Sequence, residues 1–138
     1  VKHQFDFVCF DTPPTTQLLT YGSLIAGDEA YVPLQTHFLA LEGLVEIAEL
    51  IESVRRQYQP ALRLAGIIPT FFDETSTTGA NILSELNDQF GENSVLRPIR
   101  LNTIIAEAPQ EGHTVFQHRL RSGAAFDYYV VAQQILRR

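Results

Sequence analysis

Three short apolar runs, each followed by a longer stretch of helical spacing, leave this chain few folds to adopt. The runs cover residues 5–10, 29–34 and 62–70. The longer stretches cover 15–26, 41–58 and a segment carrying Ile82, Leu83, Leu86 and Phe90. Apolar runs of that length read as strands, and the stretches with apolar residues every three or four positions read as helices. Strand and helix in repeated alternation require right-handed crossovers and parallel strands. The expected fold class is α/β, with a three-layer, mostly parallel sheet flanked by helices. The 138 residues suffice for a single domain, 1–138, with a sizeable core.

Punctuation along the chain agrees with this reading. Thr15 or Thr16 is placed to cap the first helix and Gly27 to close it. Pro33 marks the end of the second strand, because proline cannot donate to a central ladder. The helix over 41–58 carries Leu41, Leu44, Val45, Ile47, Ala48, Ile51, Val54 and Tyr58 as an apolar stripe and Glu42, Glu46, Glu49 and Glu52 outside it. Arg55 and Arg56 fall in its last turn, where cations favour the helix dipole, and Pro60 stops it. Gly91 closes the next helix. Beyond Ser94 the pattern loosens into a short strand at Val95 and Leu96, a loop over 98–102, one or two helical turns before Pro109, and a final helix over 122–136.

The first run is the most informative chemically. It ends in Asp11, Thr12, Pro13 and Pro14, so Asp11 stands at the carboxyl end of an expected buried strand. Ligands of parallel α/β sheets bind at that end. An aspartate there either holds a magnesium ion beside a phosphate or merely starts a loop. The single cysteine, Cys9, falls within the same run and reads as a small core residue. One cysteine excludes an internal disulfide and a multi-cysteine metal centre. A net charge of −6 excludes a chain-wide basic field for DNA but leaves room for a local patch. There is no signal peptide pattern and no apolar run long enough to span a bilayer, so a cytoplasmic domain is expected. His3, His37, His113 and His118 lack short-spaced partnership with Asp or Cys and read as surface or loop histidines. Ser23 and Ser122 stand outside any nucleophile-elbow context.

Several segments taken in order resemble the ParA-type partition ATPases, the P-loop family with a deviant phosphate loop that includes Soj and MinD. They are Asp11-Thr12-Pro13-Pro14, Val32-Pro33-Leu34-Gln35, Leu41-Glu42-Gly43, Gly66-Ile67-Ile68, and Ile99-Arg100-Leu101-Asn102 followed by Ala106-Glu107-Ala108-Pro109 and Gly112. Ser122-Gly123-Ala124 with Asp127-Tyr128 is similar to the family's last helix. The resemblance runs through nearly the whole chain and implies part of a P-loop NTPase fold.

What the resemblance implies is specific. Asp11 matches the Walker B aspartate, the catalytic and Mg²⁺-ordering residue, and Thr12 either joins its water network or caps the following turn. Pro13 and Pro14 stiffen a nucleotide-sensing segment. Thr70, Arg100 and Asn102 match positions that flank the base of ATP, with capping of the next helix as the alternative for Asn102. Glu107 holds its loop through backbone N–H groups. The intact protein would be a homodimer that hydrolyses Mg²⁺-ATP in plasmid or chromosome partition. It would bind nonspecific DNA in the ATP state, answer to a ParB-like centromere-binding partner, lie on the bacterial nucleoid and make no membrane contact. Arg119 and Arg121 lead the DNA-contact candidates, with Arg97, Arg100, Arg137 and Arg138 near them in sequence.

Three features depart from the family. The glycine-rich phosphate loop with its lysines is absent from these residues: Gly79 and Gly112 stand alone, and the one lysine is Lys2. The phosphates have no cradle here, so this stretch alone is expected to be inactive. The chain opens without methionine and enters an apolar run at once, which reads as the C-terminal part of something longer. Glu74-Thr75 also replaces an Arg-Thr pair, and Ile104 an arginine. The rival readings are a nucleotide-free scaffold and a MinD-like positioning ATPase. The latter needs a basic amphipathic final helix, and Ile135-Leu136-Arg137-Arg138 is too short to supply one.

Overall fold

The computed structural model describes residues 2–13, 18–37 and 40–137. After a 3-10 turn at Lys2–Gln4, its elements are α1 (Leu18–Ala26), β1 (Glu29–Gln35), α2 (Ala40–Gln57), β2 (Arg63–Thr70), α3 (Thr77–Phe90), α4 (Thr103–Gln110), α5 (Val115–Arg119) and α6 (Gly123–Leu136). β1 and β2 pair in parallel from Glu29 opposite Arg63 to Gln35 opposite Thr70, with α2 as the crossover. A register shift falls between Ala30 and Tyr31, whose partners are Leu64 and Gly66.

The far side of β2 is paired as well. Ile67 N–H donates to Ser94 and Leu96 N–H to Ile67; farther along, Ile99 N–H donates to Pro69, Phe72 N–H to Ile99, and Leu101 N–H to Phe72. Residues 94–101 thus run parallel to β2 in the third strand position. The ladder breaks in the middle because neither Pro69 nor Pro98 has an N–H to give; the Arg97 N–H, on the opposite edge of the segment, donates to the side chain of Gln134 at 2.9 Å. The expected strand at Val95 and Leu96 is this interrupted segment. Its far end, expected as a plain loop, rejoins the sheet through the Phe72–Arg100 bridge.

Hydrophobic burial explains the three layers. β2 is buried continuously from Ala65 to Pro69, as a central parallel strand covered on both faces must be. Ile67 packs with Val32, Leu34, Leu44, Ile51, Val54, Ile82 and Leu86, placing α2 and α3 on one face. Ile68, next in sequence and pointing the other way, packs with Leu96, Ile99 and Val131, placing α6 on the opposite face. Gly66 is needed for that second layer. A Cβ there would stand 2.3 Å from Leu96 Cδ1 and 3.1 Å from the Tyr31 ring.

Helix ends follow local chemistry. Ser76 accepts from Gly79 N–H at the start of α3, and Gly91 closes it at φ 82°. Ser122 caps α6 by accepting from Ala125 N–H. In α2, Glu52 bridges Arg55 and Arg56 at 2.8 and 2.7 Å. Hydrogen bonds from Arg55 and then Arg56 hold its carboxyl down to a pKa of about 2. α4 runs through Pro109 to Gln110, farther than expected. The missing proline N–H falls in the last turn, and the next amides close onto the Ala108 and Pro109 carbonyls.

Residues 5–10 differ most from expectation. They form no strand, and Phe5, Phe7, Val8 and Phe10 are exposed, Phe7 at 71%. Cys9 is exposed rather than a core residue. A strand is held by a neighbour's backbone and by covered faces. Among the described residues, no backbone hydrogen bond joins this run to β1 or β2. The first helix is described from Leu18, so the Pro14 stiffening role and the Thr15 or Thr16 cap lie outside the described residues.

Candidate nucleotide-side site

The carboxyl ends of β1, β2 and the 94–101 segment lie side by side, which brings the loops after them together. Thr36, just past β1, donates its N–H to the Thr70 carbonyl at 3.1 Å. Its hydroxyl lies 3.3 Å from the Thr70 and Phe71 carbonyls. Phe71 follows with φ 53°, in the left-handed region that bulky residues avoid. That conformation costs on the order of 1–3 kcal/mol and is found where a loop is held for a purpose. Asp73 then makes a tight turn, accepting from the Thr75 N–H at 2.9 Å and the Thr75 hydroxyl at 2.7 Å. Those two bonds, the hydroxyl's first, keep its carboxyl below the ordinary carboxylate range.

The loop after the third strand position is held from beneath by a buried carboxylate. Asp127, on α6, is 1% exposed. Its oxygens accept from Arg100 Nε at 2.8 Å, Arg100 Nη2 at 2.9 Å and Arg97 Nε at 3.1 Å. The Arg100 backbone N–H also points at it, at 3.3 Å. Burial alone would raise this carboxyl; the hydrogen bonds from Arg100 and Arg97 outweigh burial and hold it below its usual range. The same bond with Asp127 raises the Arg100 guanidinium. Arg100 Nη1 lies 3.6 Å from Glu74, and Arg97 stacks over Phe126 at 5.1 Å. Two residues on, Asn102 caps α4, its side chain accepting the Ile104 N–H at 3.0 Å.

The residues singled out in the sequence fall into separate groups. Thr70 ends β2, and Arg100 and Asn102 follow the third strand position at the same edge of the sheet. Asp11 and Thr12 lie in the exposed segment before α1, outside any helix or strand. Among the described residues, no hydrogen bond or ion pair joins them to Thr70, Arg100 or Asn102. Arg119 ends α5 and Arg121 follows it, both exposed. With Ile104, Ser122 and Gly123 they line a shallow depression. Asp127 and Phe71 escaped the reading of roles from sequence. The signal for Asp127 was available: it is the one acid in an otherwise apolar or neutral final helix.

A parallel sheet covered by helices on both faces, with its polar loops gathered at the carboxyl ends of the strands, defines an α/β domain. Solved structures agree. The chain superposes on the Pyrococcus furiosus cell division ATPase MinD with a TM-score of 0.80 at 20% identity, covering 99% of this chain and 54% of that one; this likeness is one of fold. It also superposes on the cobyrinic acid a,c-diamide synthase of Mycobacterium smegmatis with bound ADP and magnesium, with a TM-score of 0.71 at 29% identity, covering 92% of this chain and 45% of that one. A family model described as an AAA domain matches residues 1–64.

In sequence the chain is 34% identical over 134 residues to the chromosome-partitioning ATPase Soj of Thermus thermophilus, covering 97% of this chain and 54% of that protein. It is 30% identical to the chromosome partitioning protein ParA of Caulobacter vibrioides, covering 97% of this chain and 50% of that one. These matches support a relationship to ParA/Soj/MinD-type ATPases. It spans about half the length of the curated relatives it matches.

Proposed function

We propose that this chain is the C-terminal part of a ParA/Soj-type ATPase domain, 1–138, which serves plasmid or chromosome partition in a homodimeric full-length protein. The observation that carries this reading is the match in order across 97% of the chain to a chromosome-partitioning ATPase. The gathering of Thr70, Arg100 and Asn102 at the carboxyl edge of the sheet supports it.

The donors present fit one part of Mg²⁺-ATP and not the other. A carboxylate and a hydroxyl at Asp11 and Thr12 suit a hard cation that keeps its waters, and Mg²⁺-ATP when bound supplies the phosphoanhydride to be cleaved. No lysine-bearing glycine loop stands among these residues to hold the phosphates, so no step is assigned to the stretch alone. Asp11 would order the metal and its waters, with Thr12 in the same network. Thr70 and Asn102 would border the base. The guanidinium of Arg100 is engaged with Asp127 and Glu74; its part is to fix the loop that presents Asn102. Arg119 and Arg121 would contact DNA phosphates in the ATP state, with a centromere-binding partner triggering release.

In the full-length protein, Asp11→Ala should lower ATP turnover at least 100-fold while the variant stays folded. Unchanged Mg²⁺-dependent turnover would overturn the assignment. The rival reading is a nucleotide-free scaffold. Failure of the full-length protein to bind ATP would select it.

A further inference from the structure

We propose a second site, unrelated to the nucleotide edge: a divalent transition-metal site of the Zn²⁺ class formed by Glu111, His113 and His118, with Glu107 behind it. The three ligand atoms lie within 4.8 Å of one another. His118 Nδ1 is 3.0 Å and His113 Nδ1 3.5 Å from the same Glu111 oxygen, Oε2. Tetrahedral zinc with bonds of about 2.0–2.1 Å requires donors about 3.3 Å apart, and the two distances bracket that value.

The backbone presents these groups in a fixed arrangement. After α4, Gly112 turns the chain at φ 70°, and its N–H and that of His113 close onto the Pro109 and Ala108 carbonyls at 3.1 and 3.0 Å. Thr114 then starts α5 with a reciprocal capping box to Gln117. The turn and the box hold Glu111 and His113 against His118, whose side chain is only 11% exposed.

The imidazole of His118 supplies an independent observation. Its Nε2 is buried and makes no hydrogen bond, while Glu107 Oε2 stands 3.6 Å away. A carboxylate can only accept, so a neutral His118 that donates from Nδ1 to Glu111 turns the lone pair of Nε2 toward a second carboxylate. A metal on Nδ1 removes that conflict. It places the ring proton on Nε2, facing Glu107, which is the carboxylate–histidine–metal arrangement that orients metal-bound imidazoles. Nitrogen and carboxylate donors suit Zn²⁺, Co²⁺, Ni²⁺ or Cu²⁺ better than Mg²⁺. Three protein donors leave a fourth position for water or for a group from another molecule.

The test is Zn²⁺ and Co²⁺ binding to the full chain without a histidine tag, read by competition with a chromophoric chelator and by the visible Co²⁺ spectrum. One equivalent should bind, with the intense bands of four-coordinate Co²⁺. His113→Ala and Glu111→Gln alter exposed side chains and should keep the wild-type melting temperature while weakening affinity at least tenfold. Glu107→Gln should weaken it roughly tenfold, the usual effect of losing the group behind a ligand; His37→Ala should change nothing. Absence of binding by the wild-type chain, or undiminished affinity in the His113→Ala/Glu111→Gln double variant, would overturn the site. So would a His118 ring that NMR shows protonated on both nitrogens and unmoved by Zn²⁺.

Discussion

Asp127 is the residue on which the most local structure rests. One buried carboxylate faces two arginines and a backbone N–H, and removing one partner of a buried ion pair leaves the others uncompensated. Asp127→Ala should cost about 3 kcal/mol in urea unfolding, the lower end of the usual range because both arginines reach solvent. The sign of its pH dependence follows from the lowered carboxyl. The contribution is full above the unfolded pKa of about 4 and is lost as pH falls through the folded value. The stability gap between wild type and Asp127→Asn should therefore narrow as pH drops below about 4; a constant gap would refute the role. Gly66 gives a second check at this scale. Gly66→Ala should destabilise by about 1–3 kcal/mol through overpacking, and Leu96→Val should recover part of that loss. Additive effects of the two changes would show that the clash is not felt. Asp127 was visible in the sequence as an acid but not as a hub, because its partners lie 27 and 30 positions away. The histidine cluster is local in sequence and was missed for a different reason. Its third donor is a glutamate, whereas the spacing that reads as a metal site pairs histidines with Asp or Cys.

At the scale of elements, helices with strong periodicity were legible to within a residue or so. The helix expected over 41–58 is α2 at Ala40–Gln57, and the one expected over 122–136 is α6 with Ser122 as its cap. Their apolar stripes are local and cannot be satisfied otherwise. The run over 5–10 was misread because apolar composition says that a segment wants cover, while pairing depends on a neighbour that no local pattern specifies. The third strand position shows the reverse error. Pro98 marks a break, yet the chain on either side still bonds to β2. Arg119 and Arg121, around the junction of α5 and α6, belong to this scale because only the fold sets them on one depression. In the full-length protein with ATP, Arg119→Ala/Arg121→Ala should weaken nonspecific DNA binding. It should also flatten the plot of log K against log salt by roughly 1 for each DNA phosphate no longer neutralised. An unchanged slope would remove these arginines from the interface.

For the whole molecule, the order of elements decided the α/β class before any pairing was known, since repeated strand–helix alternation leaves little else. The candidate site was legible only by halves. Thr70, Arg100 and Asn102 are brought to one edge by adjacent parallel strands, and that adjacency follows from the crossover rule. Asp11 is separated from them by the state of its own segment. Two faces of the sheet are covered by helices, while Phe5, Phe7 and Phe10 remain open to solvent.

The register shift opposite Ala30 and Tyr31 also decides where the gene for this chain can change length. Ala65 is the residue passed over in the pairing. It lets Leu64 and Ile67, of opposite parity in sequence, both pack against the layer of α2 and α3. Losing one codon there would exchange inside for outside along one half of β2, whereas a codon gained or lost in an exposed turn would leave both layers as they are.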